Sequence, residues 1–298
     1  MTEIIDGAAI AAKIKDNAKG FVNDIMKSSN YTPCLVTVVV GDNPASAVYV
    51  RNKIKACEEV GIESRVQRYD DTITEAELID VVHDLNNDDS VDGFIVQLPL
   101  PEHINVDNIL AEIDYRKDVD GFTPINLGRM FAGLSCYLPA TPKGILKIIQ
   151  DYNISISGKK VVIIGRSNIV GKPLAAMLSQ KQYGNAVVTL LHSGASKELQ
   201  KQECLTADVI IVAVGKPNFL TADMVKDGVA IIDVGINRIP DSSKKSGYRL
   251  CGDVDFDNVK DKTSFITPVP GGVGKTTVSS LISNTIKAAC NHYKTLDK

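Results

Sequence analysis

The sequence predicts an α/β protein of two domains, and three of its features predict this. Short β-branched runs alternate with segments of helical period along most of the 298 residues, the pattern of strand–helix–strand units feeding a parallel sheet. Two of those runs, Cys34–Gly41 and Val91–Leu98, are apolar almost throughout, as strands covered on both faces are. The alternation also occurs twice, on either side of a stretch from Gly121 to Pro142 that holds Pro124, Pro139 and Pro142 with several glycines. A chain of this length is long enough for two cores of ordinary size.

In chain order, a first helix is expected around Ala8–Met26. The strand at Cys34–Gly41 leads into a helix at Ala45–Val60, a strand at Ser64–Tyr69, a helix at Thr74–Asn86 and the strand at Val91–Leu98. Helix interiors do not tolerate the punctuation of Gly121–Pro142, so the crossing between domains is placed there. A helix from Lys143 to about Asp151 follows. The second series runs strand Val161–Gly165, helix from Gly171, strand Val187–Leu191, helix Lys197–Cys204, strand Val209–Gly215 and strand Val229–Gly235, a doubly wound order. DSSKKSG at 241–247 reads as a polar surface loop or hairpin. The last helix spans Thr276–Tyr293, where Val278, Leu281, Ile282, Ile286 and Ala289 recur at helical spacing and need a surface to pack on.

Composition narrows the function. A formal charge of −3 and a pI of about 5.9 give no basic excess, which argues against nucleic acid or an anionic membrane as the main partner and for a small molecule. The longest apolar runs are far shorter than the ~20 residues of a membrane span. The first residues lack the basic lead and apolar block of a secretory signal, so a cytoplasmic protein is expected. Six cysteines are scattered without a CxxC pair, as free thiols in a reducing compartment are. The four histidines stand alone, so no metal site is expected.

VVIIG followed by RSNIVGKPLA puts Gly165 at the end of a strand and Gly171 at the entry to the next helix. That is where a doubly wound fold holds a pyrophosphate, because helix N-terminal amides attract anions. The spacing is GxxxxxG rather than GxGxxG, and two glycines also make a tight turn with no ligand at all. The second strand adds weight. Sheets that take NAD commonly end it with an Asp or Glu for the ribose 2′-hydroxyl, whereas VVTLL runs into His192, Ser193 and Gly194 with no carboxylate until Glu198. Arg166 and Ser193 together suit a 2′-phosphate, which favours NADP; a solvated Arg166 is the plainer alternative.

In the first half, Tyr49 and Lys53 stand four apart on a helix and share a face. The ring could lie against a flat ligand while the ammonium reaches its reactive atoms, although such a pair also suits an ordinary helix surface. VQLPLP ends a buried strand with Gln97, and KDVDGF sets Asp118 and Asp120 beside Gly121; ends of parallel strands are where ligands bind in α/β folds. PVPGGVGKTT, residues 268–277, imitates a phosphate loop. It has Val269 where GxxxxGK[ST] needs glycine, no apolar strand is evident immediately before it, and the candidate magnesium acid, Asp233, comes earlier in the chain. An ATPase is therefore a remote alternative.

Taken together, GDNPASxxYVxxKxKACEEVG, VQLPLP, KDVDGF, GRSxIVGxP, DVGIN, GDVDF and ITPVPGGVG, in this order over nearly the whole chain, resemble the bifunctional methylenetetrahydrofolate dehydrogenase/cyclohydrolase family, known as FolD. The resemblance implies an α/β folate-binding catalytic domain of residues 1–142 with 269–298, whose C-terminal helix packs back on it, and a Rossmann-type NADP-binding domain of residues 143–268. It implies Lys53 as the catalytic lysine, Tyr49 stacking on the aminobenzoyl ring of the folate, Gln97 holding and tuning the lysine, and Asp120 bonding the pterin. Val96, Leu98 and the loop of Pro270, Gly271, Gly272, Val273 and Gly274 would line the folate cleft; Gly165, Arg166, Ser167, Ser193 and Ile236 would contact NADP. The implied reactions are oxidation of 5,10-methylenetetrahydrofolate by NADP⁺ and hydrolysis of the methenyl product to 10-formyltetrahydrofolate. These are one-carbon steps that serve purine biosynthesis, carried out by a homodimer. A dehydrogenase with little hydrolase activity is the nearer alternative.

Two departures from the family pattern stand out. The family usually follows PGGVG with Pro-Met-Thr, whereas this chain has Lys275, Thr276 and Thr277, a cation where a helix start disfavours one. Lys275 would meet the glutamate tail of the folate or face solvent. In PATP the family's common cysteine is replaced by Ala140, and no step of the reaction needs a thiol there.

Overall fold

The computed structural model describes residues 2–29, 31–244 and 247–296. In chain order the elements are β1 (Glu3–Ile4), α1 (Gly7–Ser29), β2 (Cys34–Val40), α2 (Pro44–Val60), β3 (Glu63–Tyr69), α3 (Glu75–Asn87), β4 (Gly93–Val96), α4 (Val106–Glu112), α5 (Pro124–Phe131) and α6 (Ala140–Asp151). They continue with β5 (Lys160–Ile164), α7 (Gly171–Ser179), β6 (Val187–Leu191), α8 (Lys197–Leu205), β7 (Val209–Val212), β8 (Val229–Asp233), β9 (Asn237–Pro240), β10 (Tyr248–Cys251), α9 (Phe256–Val259), β11 (Thr263–Ile266) and α10 (Val273–Leu296). The chain folds as two compact units, Ala12–Ala140 with Val278–Lys298, and Met1–Ala11 with Thr141–Thr277.

The first of these units holds a parallel sheet of three strands in the order β3-β2-β4. β2 is buried along its full length. Val36, Val38 and Val40 enter one core with Leu78 and Val82 of α3, Phe94 and Val96 of β4 and Ile109 of α4. Leu35 enters the other, with Cys57 and Val60 of α2, Ile95, and Leu281, Ile282 and Ile286 of α10. Two covered faces leave little room for polar side chains, which is why β2 reads as an apolar run broken only by the buried Thr37. A capping box starts α3: Thr74 Oγ1 accepts from the Glu77 amide at 3.2 Å and Glu77 Oε2 from the Thr74 amide at 2.8 Å, a cap that stabilises by about 1 kcal/mol. α10 packs back on this unit as expected, and its buried Asn284 donates to the carbonyls of Val119 at 2.8 Å and Leu138 at 2.9 Å.

The second unit holds six strands in the order β1-β11-β8-β7-β5-β6, every pair parallel. The chain leaves β5 on one side for β6 and returns to its other side for β7. Strand order therefore reverses at β5, and the carboxyl ends of strands at such a reversal are where doubly wound folds bind their ligands. Packing places residues 1–11 and 269–277 in this six-stranded unit, whereas the boundaries read from sequence put them with the first domain. The polar segment at 241–247 closes an antiparallel β9–β10 hairpin, as expected, with Lys245 and Ser246 lying outside the described residues.

Two expectations are corrected. Gly121–Pro142 contains α5 and the start of α6. Thr123 caps α5, its Oγ1 accepting from the Asn126 amide at 3.2 Å, and Pro124 opens the helix, where a missing N–H costs nothing. Pro142 likewise stands in the first turn of α6. A strand, β11, also precedes the PGGVG loop; TSFI is short and half polar, so it did not read as one.

Candidate active site

In the three-stranded unit the residues proposed as catalytic gather at the carboxyl ends of the strands. Lys53 lies on α2, the helix that follows β2; Gln97 is one residue beyond β4, and its amide extends the ladder by donating to Val38 O at 2.9 Å. Asp120 lies just past Asp118, which bridges to Phe94 of β4. Lys53 Nζ donates to Gln97 Oε1 at 3.0 Å, and Gln97 Nε2 donates to Leu98 O at 2.8 Å. The second bond fixes which way round the amide sits, so the lysine meets an oxygen. Burial pushes the Lys53 ammonium below lysine's ordinary value, and the nearby Asp120 charge pulls it partly back; burial pushes the Asp120 carboxyl up, with Lys53 opposing. Loss of water is the larger cause for both groups. An amine held below its ordinary pKa beside a carboxyl held above is suited to general acid–base chemistry near neutral pH.

Tyr49, one turn before Lys53, is 37% exposed, so a flat ligand has ring surface to lie on. Val96 is buried at the end of β4 and Leu98 is half-buried. Asp118, noted in the sequence only as a neighbour of Asp120, organises the turn between them. Buried, it accepts from the amides of Gly121 (2.8 Å), Phe122 (3.2 Å) and Thr123 (2.8 Å) and from Asn126 Nδ2 (2.9 Å). Gly121 is needed there: its φ is +75°, and a Cβ would lie 2.7 Å from Tyr137 O.

In the six-stranded unit, Gly165 ends β5 at φ +124°. A Cβ there would sit 2.2 Å from the carbonyl oxygen of Ala213, just past β7, and one on Gly171 would sit 1.8 Å from Gly165 O. The two glycines let the end of β5, the end of β7 and the start of α7 crowd into one turn. Ser167 Oγ accepts from the Val170 amide at 3.1 Å and shapes that turn, while Arg166, and Ser193 beyond β6, are exposed. Ile236 follows β8 and is also exposed.

Two buried acids hold the loops after β7 and β8, and sequence reasoning assigned neither this task. Asp253 accepts from the amides of Val214 (2.7 Å), Gly215 (2.9 Å) and Lys216 (2.9 Å) and from Asn237 Nδ2 (2.8 Å). Asp233 accepts from the amides of Gly235 (2.9 Å), Asp253 (3.0 Å) and Val254 (2.9 Å). Burial pushes the Asp233 carboxyl up to about 6 against the pull of those three amides. Its oxygens are committed to backbone, which removes the acid an ATPase reading needs. The available signal was the glycine beside each acid: a Cβ on Gly252 would overlap Asp233 Oδ2 at 1.8 Å, and one on Gly235 would overlap the Asp253 carboxyl at 2.2 Å.

Pro270, Gly271, Gly272, Val273 and Gly274 belong to this unit too. Gly272 abuts Gly7 of α1, where a Cβ would come 2.2 Å from Gly272 O, and a Cβ on Gly274 would lie 3.3 Å from Ile236 Cδ1. Lys275 is exposed on the first turn of α10, and Thr276 is fully buried with its Oγ1 donating to Val273 O at 2.9 Å. Among the described residues no group of three or more His, Cys, Asp or Glu is placed to hold a metal ion, and no helix is long and apolar enough to cross a membrane.

Two family models match the chain: the tetrahydrofolate dehydrogenase/cyclohydrolase catalytic domain over residues 5–120, and the NAD(P)-binding domain of the same enzyme over residues 139–293. The chain belongs to the tetrahydrofolate dehydrogenase/cyclohydrolase family. A relative from Bacteroides fragilis, called bifunctional protein FolD, is 54% identical over 96% of this chain and 97% of its own. Another of the same name from Porphyromonas gingivalis is 50% identical over 98% of each. Among solved structures, FolD from Campylobacter jejuni matches with a TM-score of 0.91 and 48% identity, covering 98% of this chain and 99% of that one. The Trypanosoma brucei methylenetetrahydrofolate dehydrogenase-cyclohydrolase, solved with NADP and an inhibitor, matches with a TM-score of 0.93 and 32% identity over 100% and 99%. For a member of this family, the catalytic model takes in Tyr49, Lys53, Val96, Gln97, Leu98 and Asp120. The NAD(P)-binding model takes in Gly165, Arg166, Ser167, Ser193, Ile236 and the whole PGGVGKTT segment, so that segment belongs to a folate enzyme and not to a phosphate-loop ATPase.

Proposed function

We propose that this chain oxidises 5,10-methylenetetrahydrofolate with NADP⁺ and hydrolyses the 5,10-methenyl product to 10-formyltetrahydrofolate. The observation that carries the hydrolytic half is the Lys53–Gln97–Asp120 cluster. In the hydrolysis, water bonds to the methenyl carbon and one carbon–nitrogen bond then breaks, with one proton released overall. Lys53, as free amine, takes a proton from the attacking water, and as ammonium returns one to the departing nitrogen. Gln97 keeps the amine on station through Oε1, and Asp120 is offered to polar atoms of the pterin. Tyr49 gives the aromatic part of the folate a flat surface. Residues 1–142 with 269–298 serve folate and catalysis in this reading, including Pro270 to Gly274 as lining, and residues 143–268 serve the cofactor.

The cofactor side fits a phosphorylated dinucleotide. Gly165 and Gly171 keep side chains out of the turn at the strand-order reversal, where backbone must come close to a pyrophosphate. Arg166, Ser167 and Ser193 would hold phosphate groups, no acid ends β6, and Ile236 would lie against the nicotinamide half. When bound, NADP⁺ supplies the hydride acceptor; the chain's part is to orient the two reactants. A coupled assay that follows NADPH formation and the appearance and decay of the methenyl chromophore tests both activities. Methenyl accumulation without decay would leave a dehydrogenase alone. The family resemblance supports a homodimer working in the cytoplasm, for which light scattering on the purified protein is the check.

Two outcomes follow from the geometry. Because the working form of Lys53 as base is the free amine, and burial lowers its pKa, hydrolysis should rise with pH and level off below lysine's unperturbed value of about 10.4. A pH profile of kcat that climbs without a plateau up to that value would contradict the role given to burial. Asp253→Asn should turn an NH₂ toward two of the amides the carboxylate now accepts, costing about 2–3 kcal/mol. Urea unfolding and the KM for NADP⁺ should both respond, with the KM for folate the less affected.

A further inference from the structure

We propose that His192 joins Arg166 and Ser193 in recognising the 2′-phosphate of NADP and so helps set the preference for NADP over NAD; this rests on the NADP reading above. β5 and β6 pair with Ile164 opposite Leu191, and the Gly165 amide donates to Leu191 O at 2.9 Å. That register puts Arg166 and His192–Ser193 at the carboxyl ends of neighbouring strands, which run about 4.8 Å apart, within reach of one phosphate group. The end of the second strand is where a doubly wound fold reads the 2′ position of the ribose.

His192 is not a loose side chain there. The Gly194 amide donates to its Nδ1 at 3.0 Å, so the neutral ring carries its hydrogen on Nε2, and no described residue accepts that hydrogen. The ring is seated on Gly194, where a Cβ would come 2.9 Å from Cε1 and 3.1 Å from Nδ1. The His192 carbonyl accepts from the Ala195 amide at 2.9 Å and closes the turn. A half-buried imidazole held through one nitrogen thus presents a fixed donor on the other. A phosphate monoester carries close to two charges at neutral pH, with oxygens enough for a guanidinium, a hydroxyl and an Nε2–H together.

Calorimetric titration of the full chain with adenosine 2′,5′-bisphosphate and with 5′-AMP tests this. His192→Asn keeps an acceptor for the Gly194 amide but has no atom in place of Nε2. Bisphosphate affinity should fall about tenfold, the size expected for one lost charge-assisted bond, with 5′-AMP affinity unchanged. Gly194→Ala keeps every donor but displaces the ring, and should shift bisphosphate affinity in the same direction. Equal losses for both ligands would mean that His192 only shapes the turn, and an unchanged bisphosphate affinity that it does not touch the phosphate; either overturns the proposal. If the wild type does not distinguish the two ligands, the NADP reading itself fails, and His192's role with it.

Discussion

Lys53→Met is expected to slow methenyl hydrolysis by about 10²–10⁴-fold, the range for loss of a positioned acid–base group, while NADP⁺ binds as before. Methionine is nearly isosteric with the lysine stem, so packing beside Gln97 changes little. What it removes is an ammonium that donates to Gln97 Oε1 and whose pKa burial has lowered. Because Lys53 and the cofactor residues belong to different compact units, dinucleotide affinity is the internal control. Stopped-flow decay of the methenyl absorbance reads the loss, and fluorescence titration with NADPH reads the control. Hydrolysis at the wild-type rate would remove Lys53 from the mechanism. Loss of NADPH binding along with activity would point instead to a general structural defect.

Much of this was legible in the sequence, and the rest was hidden for identifiable reasons. β2 announced itself because both faces are covered and nearly every position of its pleat holds an apolar residue. Tyr49 and Lys53 were legible because helical spacing is local. The partners of Lys53 were not, since Gln97 and Asp120 reach it through the sheet and no periodicity links strand ends. There only the family's motif order could supply them. β11 was missed because a strand of four residues with two hydroxyls carries no apolar signature. α5 was missed because Pro124 reads as a breaker unless Thr123 is recognised as the cap before it. Asp233 read as a candidate acid, Asp118 only as a neighbour of Asp120, and Asp253 only as part of a motif, yet each spends its oxygens on backbone amides of nearby loops. A buried acid beside a glycine at a strand end is as much a loop anchor as a catalytic group.

Gly165→Ala should be the most damaging single-methyl change on the cofactor side, and comparison with Gly158→Ala shows why. Both glycines have positive φ, +124° and +68°. Gly158 has open space where a Cβ would go, so alanine there bears only the backbone penalty of about 1–2 kcal/mol. At Gly165 the added carbon would lie 2.2 Å from Ala213 O and 3.0 Å from its carbon. Ala213 cannot retreat freely, because its amide donates to Ile164 O at 2.8 Å in the ladder joining β5 and β7. The φ value also lies outside the small left-handed well open to alanine. Relief therefore requires parting two central strands at the point where the strand order reverses, at a cost above about 4 kcal/mol. The expected result is a large drop in the urea midpoint and loss of NADP⁺ binding in Gly165→Ala, against a modest shift and normal binding in Gly158→Ala. Equal effects of the two substitutions would show that conformation alone, and not the crowding of β5 against β7, makes Gly165 necessary, and the weak GxxxxxG signal would then have marked only a turn.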